Sequence, residues 1–300
     1  MTRNQYWKYP DQKQSQLDKY TSIEFMRLQN RIQALLDRFK KLDGIMSFRE
    51  LYRFKDDIRN IEKLSLMPSK EFDLMLRDIK RRKLIRRADA IYFLLMFEYI
   101  NAYSNIRKKS IELNTEIYRQ KYEEFTGSES EDTIDDMILL YTSVLPIGVS
   151  PDNMICTEAI FRTDQMFKAI RAQRGADENF NNSNSPAIEI ALARAKNALI
   201  VKSQAIGYHG ILDVIMTSVI GYAIINAAYK LNARKYTFMA VLDERTTDIC
   251  RHLDSEIMNV SDMRLGWNVP PISWDYRTNE PIPHPCRSWI VLKVKEKDKV

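Results

Sequence analysis

Apolar residues recur at helical spacing from Gln12 to Asn232, and the pattern gives way at Lys235. Between Gln12 and Leu42 the apolar positions are Leu17, Ile23, Phe25, Met26, Leu28, Ile32, Leu35, Leu36 and Phe39, with charged residues in the gaps. That spacing gathers the apolar side chains on one stripe of a helix. Gly44 ends the segment. Ser47-Phe-Arg-Glu50 reads as a capping box that opens a second helix to about Leu64. Ser69, after Pro68, is the N-cap expected for a third helix. A nearly continuous helical pattern then runs to Phe125, with Asp89 as a point of restart. Within it, Ile91-Tyr-Phe-Leu-Leu-Met-Phe97 is apolar on nearly all sides and too short to span a bilayer, so it is expected in a core helix or an oligomer contact. Only eight glycines in 300 residues fit long helices better than a turn-rich β protein.

Two polar stretches mark boundaries. Thr126 to Asp132 is acidic and loop-like, and Gly175 to Pro186 is rich in Asn and Ser. The expected organisation is a helical N-terminal region over 1–125, a second helical region over 126–234 with a mobile loop at 175–186, and a C-terminal module over 235–300. Helical segments are expected over 135–144, 157–174 and from Pro186 to Asn232, interrupted near Gly207 and Gly210. Ile211 to Tyr229 is long enough to cross a membrane. It contains Asp213, Thr217, Ser218 and Asn226, which are costly in lipid, so a buried core helix is expected and no membrane span. Met1 to Pro10 is polar and lacks the apolar stretch of a secretory signal.

After Lys235 the composition becomes that of strands. Tyr236-Thr-Phe-Met-Ala-Val-Leu242 and Ser288-Trp-Ile-Val-Leu-Lys-Val294 are rich in β-formers. Pro270, Pro271, Pro281, Pro283 and Pro285 lie between them and favour extended loops over helix. The fold class expected is mainly α, long amphipathic helices followed by a small C-terminal α+β module of a few strands joined by proline-rich loops.

This last fifth also concentrates the scarce residue types. Cys250-x-His252 and His284-x-Cys286 together offer two sulfur and two nitrogen ligands, a tetrahedral zinc set by type. Residues two apart share a side only on an extended strand. Thr246-Thr-Asp248 can instead cap a short helix, which would turn His252 away from Cys250. Zinc binding, simple packing of buried cysteines, a Cys250–Cys286 disulfide and a thiolate–imidazolium pair therefore all stay open. Asp243, Asp248 and Asp254 are available as a third, orienting group, but none stands at a recognisable catalytic spacing. The chain has no Gly-x-x-x-x-Gly-Lys, Gly-x-Gly-x-x-Gly or His-Glu-x-x-His. No enzyme is expected, and no cofactor beyond that zinc. The alternative is a metal- or cysteine-dependent DNA-processing enzyme using Cys250, His252, His284 and Cys286.

A formal net charge of +6 and a pI near 9.0 point mildly toward a polyanionic partner. The densest basic run is Arg77, Lys80, Arg81, Arg82, Lys83, Arg86 and Arg87. At helical spacing these side chains spread around most of the axis, as in a solvated connector helix. The same cluster could neutralise phosphates without reading sequence.

The run Asp243-Glu-Arg-Thr-Thr-Asp-Ile-Cys250-Arg-His-Leu-Asp254, followed by Pro-His284-Pro-Cys286-Arg287, resembles the phage Mu F-like minor head proteins, also called phage head morphogenesis proteins. Asp243, Arg245, Thr246, Cys250, Leu253, Asp254, His284, Pro285, Cys286 and Arg287 match the family pattern, which covers about the last sixty residues. The helical N-terminal region, with Tyr6-Trp7 near its start, is similar in a less specific way. Thr247 stands where many relatives have a first cysteine, Ser255 where glycine is common and Ser288 where a further cysteine often follows, which weakens any zinc reading carried from the family. Arg245 and Arg287 are placed to pair with Asp243 or Asp254. The resemblance implies a low-copy virion protein inside the phage head near the portal, made in the host cytoplasm. Its implied partners are the portal protein, other head proteins and packaged double-stranded DNA, and its implied work is head assembly and DNA packaging or ejection.

Overall fold

The computed structural model describes residues 3–39, 43–62, 70–130, 134–143, 150–174, 186–200, 210–242, 246–272, 274–275, 277, 280–281 and 288–294. The chain is mainly α with a small C-terminal α+β module. The helices are α1 (Arg3–Arg38), α2 (Phe48–Glu62), α3 (Lys70–Arg81), α4 (Arg87–Thr126), α5 (Ile134–Thr142), α6 (Pro151–Arg174), α7 (Pro186–Ile200), α8 (Ile211–Lys230) and the short α9 (Asp248–Leu253). The strands are β1 (Lys235–Met239), β2 (Ile257–Asn259), β3 (Trp274–Asp275), β4 (Glu280–Pro281) and β5 (Trp289–Lys293). Pro68, Ser69, Gly207 and most of the 175–186 loop lie outside the described residues.

Contacts divide the chain differently from the boundaries read at 126 and 235. One unit comprises Met1–Lys19, Lys109–Asn153 and Leu199–Val300, and the other comprises Tyr20–Lys108 and Met154–Ala198. The divisions fall inside α1, α4, α6 and α7 rather than in loops. A helix that supplies side chains to two cores leaves no loop-like composition where it passes from one to the other, so polar stretches could not mark these divisions.

In the Tyr20–Lys108 and Met154–Ala198 unit, the capping box forms as expected. The Ser47 amide donates to Glu50 Oε2 at 2.7 Å and the Glu50 amide to Ser47 Oγ at 3.4 Å. The continuous helix expected through the basic run does not form. It breaks after Arg81 and resumes at Arg87. Ile85 is drawn into the core at 2% exposure, and Ile45 and Arg86 form an antiparallel bridge in which Met46 donates to Ile85 and Arg87 to Gly44. Burial of Ile85 and that bridge outweigh helix propensity there. The Ile91–Phe97 run is core: Ile91, Leu94, Leu95, Met96 and Phe97 are all buried. Phe25 meets Tyr103 edge-on at 6.0 Å, and Tyr92 donates to Asp164 at 2.6 Å, which with burial raises the Tyr92 hydroxyl to about 12.

Arg87 then ties the break together. Its Nε and Nη2 donate to the two carboxylate oxygens of Glu50 at 3.0 and 3.2 Å, and Nη1 donates to the Asp43 carbonyl. Arg87 and the Ser47 groups hold the Glu50 carboxyl down at about 2. A carboxyl depressed in the folded state stabilises fully above its unfolded pKa, and that contribution disappears as pH falls through the folded value. Glu50→Gln should therefore lower the melting temperature at neutral pH and converge with wild type by about pH 2, a pattern that thermal melts across pH would read.

In the other unit, α8 is the only helix among the described residues long and apolar enough to cross a membrane, and 78% of its most apolar window is buried within the protein. Asn226, one of its polar residues, donates to Tyr118 Oη at 2.6 Å. The sheet has the order β2-β1-β5 with both pairings antiparallel. Tyr236 lies opposite Met258 on β2 and Leu292 on β5, and Phe238 opposite Ile290. The alternation of β1 buries Tyr236 and Phe238 completely. Tyr236, Trp289 and Ile290 share one apolar cluster with Met216, Ile220, Ile224 and Ala228 of α8 and with Tyr6 and Trp7 of α1. The segment after β2 presses on α8 at Gly221, where a Cβ would overlap Leu265 Cδ1 and the Pro270 carbonyl. The Pro270 carbonyl belongs to backbone and cannot rotate aside. Gly221→Ala should cost about 1–3 kcal/mol, measurable by chemical denaturation.

Candidate functional site

The C-terminal motif is built around α9. Thr247 caps the helix, its hydroxyl accepting the Cys250 amide at 3.4 Å, and the Thr246 hydroxyl donates to the Val241 carbonyl. The helix presses Ile249, Cys250 and Leu253 against Phe238, Ala240 and Ile272. Cys250 is 1% exposed while His252 faces solvent. Asp243, Arg245, His284, Pro285, Cys286 and Arg287 lie outside the described residues.

This geometry bears on the zinc set. A helix turns residues two apart to different sides, so Cys250 and His252 do not chelate one ion while α9 is intact. No group of three or more His, Cys, Asp or Glu side chains among the described residues is arranged to hold a metal. The described half of the set therefore does not fit a shared tetrahedral ion.

What the Leu253-Asp254-Ser255 run does is structural. Leu253 fills the small core, Asp254 Oδ1 accepts the Ala240 amide at 2.8 Å just beyond β1, and Ser255 turns the chain at φ 63°. The Ser255 amide donates to Phe238 and the Phe238 amide to Glu256, which closes the turn onto the strand. A positive φ is where glycine sits without strain. Asp254→Ala, which leaves the Ala240 amide unpaired, should cost about 1–3 kcal/mol. Ser255→Val should cost about 1–2 kcal/mol and Ser255→Gly should be neutral or mildly stabilising. Denaturant melts of the three variants would read this order.

The basic run is no single face of a helix. Arg77, Lys80 and Arg81 are on α3, Arg82 and Lys83 are in the turn, Arg86 is at the bridge and Arg87 opens α4. Arg87 is engaged with Glu50, and Arg82 donates to Asp78 at 2.6 and 3.0 Å. Arg77, Lys80, Arg81, Lys83 and Arg86 are exposed. Helix α2 adds cations that lie apart from the basic run in sequence. Lys55 and Arg59, one turn apart, line a cavity of about 450 Å³ together with Lys80, over a floor of Ile58 and Ile79. Spacing carried that signal, since Phe48, Tyr52, Lys55 and Arg59 recur every three or four residues on α2.

A separate cleft of about 220 Å³ lies among Thr115, Tyr118, Met137, Leu140, Tyr222 and Asn226, with burial raising the Tyr222 hydroxyl. Its walls are mainly apolar, with Asp136 and Ser143 also among the lining residues. Comparison with known proteins finds no family model, no curated protein and no solved structure that matches the chain.

Proposed function

We propose that this chain is a minor head protein of a tailed bacteriophage, associated with the portal vertex and acting in head morphogenesis and in the packaging or delivery of DNA. The observation that carries the reading is that the described residues of the family-like motif build one small folded core. Thr246, Cys250, Leu253 and Asp254 each hold a fold-building contact around α9 and β1. A motif that serves as scaffold suits a virion component better than an enzyme, and its four described matching residues are spent on packing and on hydrogen bonds within the module.

The remaining surface is compatible with this role. Long amphipathic helices offer docking faces for a portal protein and other head proteins, and the exposed cations on α3 and the following turn can neutralise phosphates of packaged double-stranded DNA without reading sequence. The protein would be made in the host cytoplasm and assembled into the head near the portal.

Mass spectrometry of purified virions and co-purification with the portal protein of the same phage test this directly. The expected result is a low-copy virion protein that co-purifies with the portal. Absence from both mature particles and assembling heads, with no portal association, would refute it.

A further inference from the structure

The face of α2 that walls the cationic cavity continues as two exposed aromatics. Phe48 is 86% exposed and Tyr52 59% exposed, although neighbouring Phe54 and Ile58 on the same helix are fully buried. Along the helix the stripe therefore reads Phe48, Tyr52, Lys55, Arg59: two bare rings and then two cations at the cavity. Successive members lie about 4.5–6 Å apart along the axis. Lys80 supplies a third cation from α3. Among the described residues, Asp56 pairs with Arg59 at 3.2 Å, Asp78 with Arg82, and Glu50 with Arg87. Arg59 in an exposed pair keeps donors for a second anion, because such pairs are weak and screened.

We infer that the α2–α3 face binds single-stranded nucleic acid, with Lys55, Arg59 and Lys80 taking backbone phosphates in the cavity and Phe48 and Tyr52 stacking unpaired bases. This rests on the reading of the basic region as a nucleic-acid contact and adds a strand preference to it. Cations alone hold duplex and single strand alike, because both carry phosphates. Exposed rings add affinity only where a base can leave its partner and lie flat on them, a sequence-tolerant contact. An acidic peptide would satisfy the cations too, but it offers a planar ring only where its sequence includes an aromatic residue, whereas every nucleotide carries one.

The test is fluorescence anisotropy of the full chain with three labelled probes at low salt: a short oligothymidine, the same oligonucleotide as a duplex, and polyglutamate. The oligothymidine should bind at least tenfold more tightly than the duplex, and polyglutamate weakly. Phe48→Ala with Tyr52→Ala should weaken oligothymidine binding about tenfold or more and leave duplex binding nearly unchanged. Phe48→Trp with Tyr52→Trp should retain it, which separates stacking from any loss of fold. Lys55→Gln with Arg59→Gln should weaken both nucleic acids and reduce the salt slope by about one to two. Duplex binding equal to oligothymidine binding and indifferent to the rings would overturn the strand preference while leaving the basic-face reading intact. Binding of neither nucleic acid, or tighter binding of polyglutamate, would overturn both. None of these results touches portal association, which is measured separately.

Discussion

One side of the C-terminal sheet is completed by helices from elsewhere in the chain. On that side its buried side chains Tyr236, Trp289 and Ile290 pack with Tyr6 and Trp7 from the first turns of α1 and with one face of α8. The contact that fixes this arrangement is Lys121. Its side chain is fully buried, and its ammonium donates to the Tyr6 carbonyl at 2.6 Å and to Glu124 at 2.7 Å while lying 4.3 Å from the centre of the Tyr6 ring. An ammonium removed from water costs several kcal/mol unless partners replace its hydration. Burial accordingly lowers the Lys121 pKa, and the Glu124 carboxylate works against that shift. Three partners in fixed directions leave little freedom for the start of α1. Tyr6 is thereby held beside Trp289, their ring centres 6.4 Å apart.

From that anchor the roles of the tail residues follow. With Tyr236 and Trp289 committed to the larger cluster, the far end of β1 needs separate cover for Phe238 and Ala240, and α9 provides it with Ile249, Cys250 and Leu253. A cysteine in that position behaves as a small apolar residue. Asp254 and Ser255 then end β1 and return the chain to β2. Crowded Cys and His residues suggested chemistry, but the described ones are divided by their helix into a core cysteine and a surface histidine.

Much of this was legible in the amino-acid sequence. The helical period found the long helices, the Ser47–Glu50 box formed with both reciprocal bonds, and Thr247 capped the short helix that separates Cys250 from His252. The strand compositions located β1 and β5 to within a few residues. What escaped was set by distant contacts. Nothing local to Arg82–Arg86 signals a helix break, since the break comes from pairing with Ile45 across the chain. The association of Tyr6 and Trp7 with Trp289 likewise has no local signature, because it joins opposite ends of the sequence. The face formed by Lys55, Arg59 and Lys80 was hidden for the same reason: charge clustering along the chain exposed the α3 cations but not those on α2.

Hydrogen exchange on the full-length protein, wild type against Trp7→Ala, tests most directly whether the first turns of α1 belong to the core beneath the C-terminal sheet. If they do, amides of β1 and β5 around Tyr236, Phe238 and Ile290 should lose protection together with the start of α1. Unchanged protection in β1 and β5, with opening confined to the start of α1, would contradict the account.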